Sequence, residues 1–227
     1  MTPEDAIAAL RAQADPARAA EMAAYHKQTR EVLGLSNALT GEMAEGWRKA
    51  LDQPALVALA QGLWASDIFE ARIVAGKLFL QARMRPDDAA AWACLAGFVP
   101  EFDSWAIADA VAQSGQKRMV QVPARLDEVE GWVTSDHMWT RRAALVFTLP
   151  FTKSRHPNPT EAAARTRILG WCATLAPDRD WFIQKAIAWW LRDLSKRDPA
   201  TVAAWLAAHG ETLKPFARKE AAKYLPA

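Results

Sequence analysis

An aromatic residue followed three positions later by a base, at the head of an apolar helical stretch, recurs along this chain. "SDIFEARIVAGKLF" begins at 66, "SDHMWTRRAALVFTL" at 135, "DRDWFIQKAIAWWLRDL" at 178 and "LKPFARKEAAKYL" at 213. The pairs are Phe69–Arg72, Trp139–Arg142, Phe182–Lys185 and Phe216–Lys219, and "FDSWAIADAVA", from 102, fills the gap with Trp105. The aromatics at 69, 105, 139, 182 and 216 are 36, 34, 43 and 34 residues apart. The long step holds "SRHPNPTE" (154–161), which reads as an insertion. A period of about 34 to 45 residues in a helical chain signals stacked helix pairs, because one pair cannot bury its apolar face alone.

The helical reading comes from composition. Ala-rich stretches run throughout and Gly is scarce, at 10 of 227 residues. Ala loses the least entropy in a helix, and there are no β-branched runs bounded by turn residues. Helices are expected over about 3–12, 16–31, 40–51, 54–64, 67–83, 87–97, 102–113, 116–120, 125–133, 136–149, 160–175, 180–196, 199–208 and 215–223, with Thr160 capping the helix after the loop. The expected fold is all-α: a single repeat domain over 1–227, forming a right-handed α-solenoid of HEAT-like helix pairs with a basic concave face.

Several function classes are disfavoured. Cys94 and Cys172 lie in apolar helical stretches and read as buried free thiols. No Cys or His cluster has metal spacing, so no metal site is expected. "MTPEDAIAAL" lacks the basic-then-apolar pattern of a signal peptide. No uncharged run approaches the roughly 18 residues of a membrane span, so no membrane partner and a cytoplasmic location are expected. A net charge of +2 decides nothing about nucleic acid.

The bases do more. Four repeats carry a cation three residues after the aromatic, whereas the central one has Ala108 there and Asp109 one step on. Arg142, Lys185 and Lys219, with Arg141 and Arg218, can form a row. Lys185, Trp189 and Arg192 make one helical stripe of cation, aromatic and cation. Spaced cations bind phosphates, and aromatics among them pack on sugars or bases. The same pattern also fits core aromatics flanked by paired or solvated bases, and an Asp109 paired with a base. Helical repeats also serve as protein–protein scaffolds.

"WVTSDHMWTRRAALVF" (132–147), "WFIQKAIAWWLRDLSKRDPATVAAWL" (181–206) and "KPFARKEAAKYL" (214–225), with "MAAYHKQ" (22–28) and "VLGL" (32–35), resemble the DNA alkylation repair glycosylases of the AlkD type. The resemblance implies a monofunctional glycosylase, monomeric and without metal or cofactor, that excises cationic alkylated purines such as 3-methyladenine and 7-methylguanine from duplex DNA. By motif match, Asp109 and Trp105 correspond to the family's aspartate and first tryptophan. Arg142 in "TRRAAL" matches its arginine, Trp189 in "KAIAWW" its second tryptophan, and Tyr25 an N-terminal tyrosine that approaches DNA. Arg141, Lys185, Arg192, Arg218 and Lys219 are the accompanying candidate DNA contacts. The family's central motif, Trp-Asp-x-Val-Asp, departs here to Trp105-Ala106-Ile107-Ala108-Asp109, with Asp103 before the Trp instead. Two other readings remain open at this point: a non-catalytic DNA-binding relative and a protein–protein scaffold.

Overall fold

The computed structural model describes residues 1–226 and is all-helical, apart from one isolated parallel bridge between Glu31 and Ile68. The helices are α1 (Pro3–Arg11), α2 (Pro16–His26), α3 (Asn37–Ala50), α4 (Gln53–Ala65), α5 (Phe69–Lys77), α6 (Ala89–Phe98), α7 (Trp105–Gln121), α8 (Leu126–Glu130), α9 (Met138–Val146), α10 (Pro159–Leu175), α11 (Trp181–Ser195), α12 (Pro199–His209) and α13 (Pro215–Ala221). They fall into two compact units, Met1–Arg118 and Met119–Ala227.

In the first unit, α5 packs against α3 and α4, and α4 against α1 and α6. Leu56, Leu59, Leu63, Phe69, Phe79, Leu95, Ile107 and Val111 form its core, with Trp64 stacked on Phe98 at 4.0 Å between centroids. Burying side chains of this size stabilises by roughly 1.5–3 kcal/mol each. In the second unit, α11 packs against α9, α12 and α13 around Ile183, Ile187, Trp190, Leu191 and Leu194. Both cysteines are buried and unpaired, and burial pushes their thiols up, Cys94 to about 12.

The repeat period shows itself in the polar contacts. Arg30 Nε bonds Asp67 across 37 residues, Trp64 Nε1 bonds Glu101 across 37, Arg141 Nε bonds Asp178 across 37, and Lys185 Nζ bonds Glu220 across 35. Each is one repeat reaching the next.

α5 is buried along its whole length, including Glu70, Arg72 and Lys77. A buried charge is tolerated only where it is paired and hydrogen-bonded. Glu70 accepts the main-chain N–H groups of Leu33 (2.8 Å), Gly34 (2.7 Å) and Leu35 (3.2 Å). Arg72 donates to the Trp64 carbonyl, pairs with Asp67 and Glu101, and lies 4.7 Å from the Trp64 ring centroid. So Arg72, which the repeat pattern placed first in a row of cations, is held inside the fold.

These contacts revise several expected boundaries. The helix expected over 16–31 ends at His26, because Lys27 turns left-handed (φ 51°) and the N–H of Gln28 bonds back to Ala23. The following segment instead crosses to α5. The expected helix over 67–83 stops at Lys77, and those over 102–113 and 116–120 are one continuous α7. Asn158, not Thr160, caps α10: its side chain accepts the Glu161 N–H while Glu161 returns the bond, and Pro159 takes the first helical position. The 154–161 loop is tied down by Lys153 on Asp193 and by Arg165 on the Ser154 carbonyl.

Two glycines set close approaches. Gly34 has φ +82°, and an added Cβ would lie 2.3 Å from the Asp15 carbonyl oxygen and 2.7 Å from the Ala19 nitrogen. A Cβ on Gly76 would lie 2.7 Å from the Val111 nitrogen, so α5 and α7 touch through their backbones there. Gly34→Ala is expected to destabilise by about 2–4 kcal/mol, from left-handed strain plus overlap. Gly46→Ala, in open space on α3, should instead stabilise by roughly 0.5–1 kcal/mol. Denaturant titration of both variants checks the pair.

Candidate active site

Trp105 and Asp109 are one turn apart on α7, so both project from one face. They line a cavity of about 390 Å³ in the first unit, together with His26, Asn37, Thr40 and Phe69. The Gly76 contact presses α7 onto α5, and Glu70 ties the segment after α2 to α5. Those two constraints bring the end of α2, the start of α3 and the start of α7 around one space.

Its walls are aromatic. The His26 ring sits 5.0 Å from Trp105 and 4.9 Å from Phe69, with Tyr25 edge-on at 4.9 Å. Tyr25 meets Trp105 edge-on at 6.2 Å. The aromatics of two successive repeats, Phe69 and Trp105, are therefore joined through His26, which the sequence reading did not single out. Burial pushes the imidazole below its usual value, against the pull of Glu70, and so favours the neutral ring. Tyr25 is 72% and Trp105 37% exposed, so both are accessible from solvent.

The polar part of the cavity comes from Asp109, Gln113, Asn37 and Thr40. Behind the last two stands Lys77, 4% exposed, whose ammonium donates to the Asn37 carbonyl, to Asn37 Oδ1 and to Thr40 Oγ1. Burial pulls Lys77 down to about 8. Asp103, where the chain departs from the expected central motif, is clamped by Arg30, which also holds Asp67 and Gln28. One guanidinium thus fixes the starts of both α5 and α7.

The other candidates belong to the second unit. Arg142 is buried (5% exposed), with its guanidinium 5.7 Å from the Trp139 ring centroid. Trp189 is half-buried, whereas its neighbour Trp190 is fully inside the core. Two repeat aromatics meet here, Trp139 and Phe182 at 4.6 Å, and Trp181, the neighbour of Phe182, lies 6.1 Å from Phe216 at 25°.

The bases on α9, α11 and α13 mostly have protein partners. Arg141 bonds Asp178 and the carbonyls of Ser135 and Asp136. Lys185 and Arg192 both bond Glu220, and Arg218 bonds Glu211. Among the described residues Lys219 is exposed without an ion pair. A phosphate reaching Lys185 or Arg192 must compete with Glu220. The signal for that acid was present in the sequence, one residue after Lys219, but only folding shows that it faces α11.

Among the described residues no group of three or more His, Cys, Asp or Glu side chains could hold a metal, and no helix is long and apolar enough to cross a membrane.

The sequence profile of the DNA alkylation repair enzyme family matches residues 6–225. A structure described as a predicted DNA alkylation repair enzyme from Enterococcus faecalis is 24% identical, with 94% of this chain and 97% of that one covered and a TM-score of 0.78. AlkD2 from Streptococcus mutans is 19% identical over 92% of this chain and 98% of its own, with a TM-score of 0.63. The smu.31 protein of the same species, strain UA159, is 20% identical over 83% and 92%, with a TM-score of 0.62. At these identities the likeness concerns the fold. No curated protein matches the sequence.

The buried lysine has a pH signature. Below about pH 8 Lys77 is charged in both folded and unfolded chains, and the folded state carries the full cost of burial. Between about 8 and 10.5 the unfolded chain keeps its proton while the folded one releases it, so stability rises with pH. The expected gain is on the order of 3 kcal/mol. It should appear as a rising difference between wild type and Lys77→Met in denaturant titrations across that range.

Proposed function

Because the chain belongs to the DNA alkylation repair enzyme family, we propose that it is a monofunctional DNA glycosylase, acting as a monomer on cationic alkylated purines of the 3-methyladenine and 7-methylguanine type in duplex DNA. The observation that carries this reading is the pairing of Trp105 and the Asp109 carboxylate in one aromatic-walled cavity that opens to solvent.

The chemistry asks for little more. A purine made cationic by alkylation leaves as a neutral molecule, so no strong general acid is needed. Positive charge instead develops on the deoxyribose as the bond to the base lengthens, as in other glycosidic cleavages. A carboxylate beside that sugar stabilises the charge and orients the attacking water; Asp109 has this role. The faces of Trp105 and Tyr25 and the neutral His26 ring are electron-rich surfaces against which a cation gains roughly 0.5–2 kcal/mol. Arg142 holds a backbone phosphate near the lesion, and Trp189 packs against deoxyribose and backbone. Both assignments rest on their match to the family motif. Lys219 is the candidate phosphate contact that needs no partner exchange, whereas Arg141, Lys185, Arg192 and Arg218 would exchange protein carboxylates for phosphates.

Release of 7-methylguanine and 3-methyladenine from methylated duplex DNA tests the reading. Wild type should release both, and Asp109→Asn should be slower by about 100-fold or more with its melting temperature and DNA affinity retained. Equal release by both proteins moves the chemistry away from Asp109, and no release by wild type removes the glycosylase reading. Trp189→Ala should reduce excision while leaving thermal stability close to wild type, because Trp190 is the member of the pair inside the core. A large loss of stability would place Trp189 in the core as well.

A further inference from the structure

Asn37 lines the same cavity as Asp109, from the first turn of α3. Its amide is fixed from behind. Lys77 Nζ donates to Asn37 Oδ1 at 2.7 Å, to the Asn37 carbonyl at 2.9 Å and to Thr40 Oγ1 at 2.9 Å. An ammonium has three protons and no lone pair. All three are used, and toward an amide they can meet only the oxygen. The orientation of Asn37 therefore follows from the charge behind it. Its Nδ2 group is the half left over, and it makes no hydrogen bond among the described residues.

We propose that Asn37 Nδ2 is a second polar contact for the attacking water, which it holds jointly with Asp109, and that Lys77 is the positioning residue that turns the amide toward the cavity. The inference rests on the glycosylase reading above. The water accepts a hydrogen bond from Nδ2 and donates one to the Asp109 carboxylate. A carboxylate alone leaves a water free to swing about its acceptor, whereas a donor and an acceptor together fix its remaining lone pair. In the reaction the bond between C1′ and the purine N9 breaks with its electron pair passing to the cationic base, which leaves neutral. The water oxygen bonds to C1′, and one water proton passes to Asp109 and on to solvent.

The test is single-turnover release of 7-methylguanine from methylated duplex at pH 7, with affinity for unmodified duplex measured alongside. Asn37→Ala should slow release by about 10- to 100-fold while affinity stays within about twofold. Asn37→Asp keeps an oxygen on Lys77 but has no proton to give at pH 7, and should be comparably slow. Lys77→Met should show a similar defect without touching DNA, and the Asn37→Ala/Lys77→Met double variant should be no slower than Asn37→Ala. This non-additivity marks residues that act as one unit. Wild-type rates for Asn37→Ala and Asn37→Asp overturn the Asn37 assignment and leave the glycosylase reading standing. Multiplying defects in the double variant overturn the positioning role of Lys77. No release by wild type overturns both.

Discussion

The Glu70 carboxylate is the constraint on which the first unit depends. It is fully buried on a helix that is itself buried end to end, and it takes the main-chain protons of three consecutive residues, Leu33, Gly34 and Leu35. Those protons have no helix or strand to serve them, and leaving one buried without a partner costs roughly 1–3 kcal/mol. The carboxylate, equally, could not stay buried and charged without them. Each side thus stabilises the other, and the segment joining α2 to α3 is anchored to α5. Tyr25 and His26 lie just before that segment and Asn37 just after it, so one carboxylate positions three of the residues around the cavity.

Charge in this chain mostly serves the repeat. A base on one repeat meets an acid on the next, about 37 residues on, as with Arg30 and Asp67 or Arg141 and Asp178. Sequence spacing brings out the bases because they follow the aromatics at a fixed interval. It does not bring out Asp67, Asp178 or Glu220, which lie at different offsets from those aromatics and meet their partners only after the helices stack. For the same reason the aromatic and base pattern alone could not separate a phosphate-binding row from a set of internal struts. Arg72 is a strut and Lys219 is not, although both occupy the same place in the repeat.

What could be read from the sequence was the architecture. The all-helical, paired-helix organisation follows from periodicity and Ala content; that the aromatics of successive repeats meet, as Trp139 and Phe182 do in the second unit, came only from the structure. The Trp105–Asp109 pair was legible because four residues make a helical turn. The helix ends were less so: α2 stops where Lys27 turns left-handed, and α10 is capped by Asn158 rather than Thr160 because Pro159 favours the first helical position. His26, Asn37 and Lys77 carried no signal of their own. Each belongs to the cavity through partners 37 to 79 residues away in sequence, such as Asn37 for Lys77 and Trp105 for His26.

Glu220 has one further consequence. It is held by Lys185 and Arg192 together, so it acts as a built-in counter-anion for both. A polyanion that takes over these bases expels condensed cations from its own surface, and in doing so strips Glu220 of its two partners. The freed carboxylate then recruits a cation from solution. The ions released at this site are therefore partly recaptured, and the affinity of α11 for any polyanion would vary with salt less steeply than a count of its bases implies.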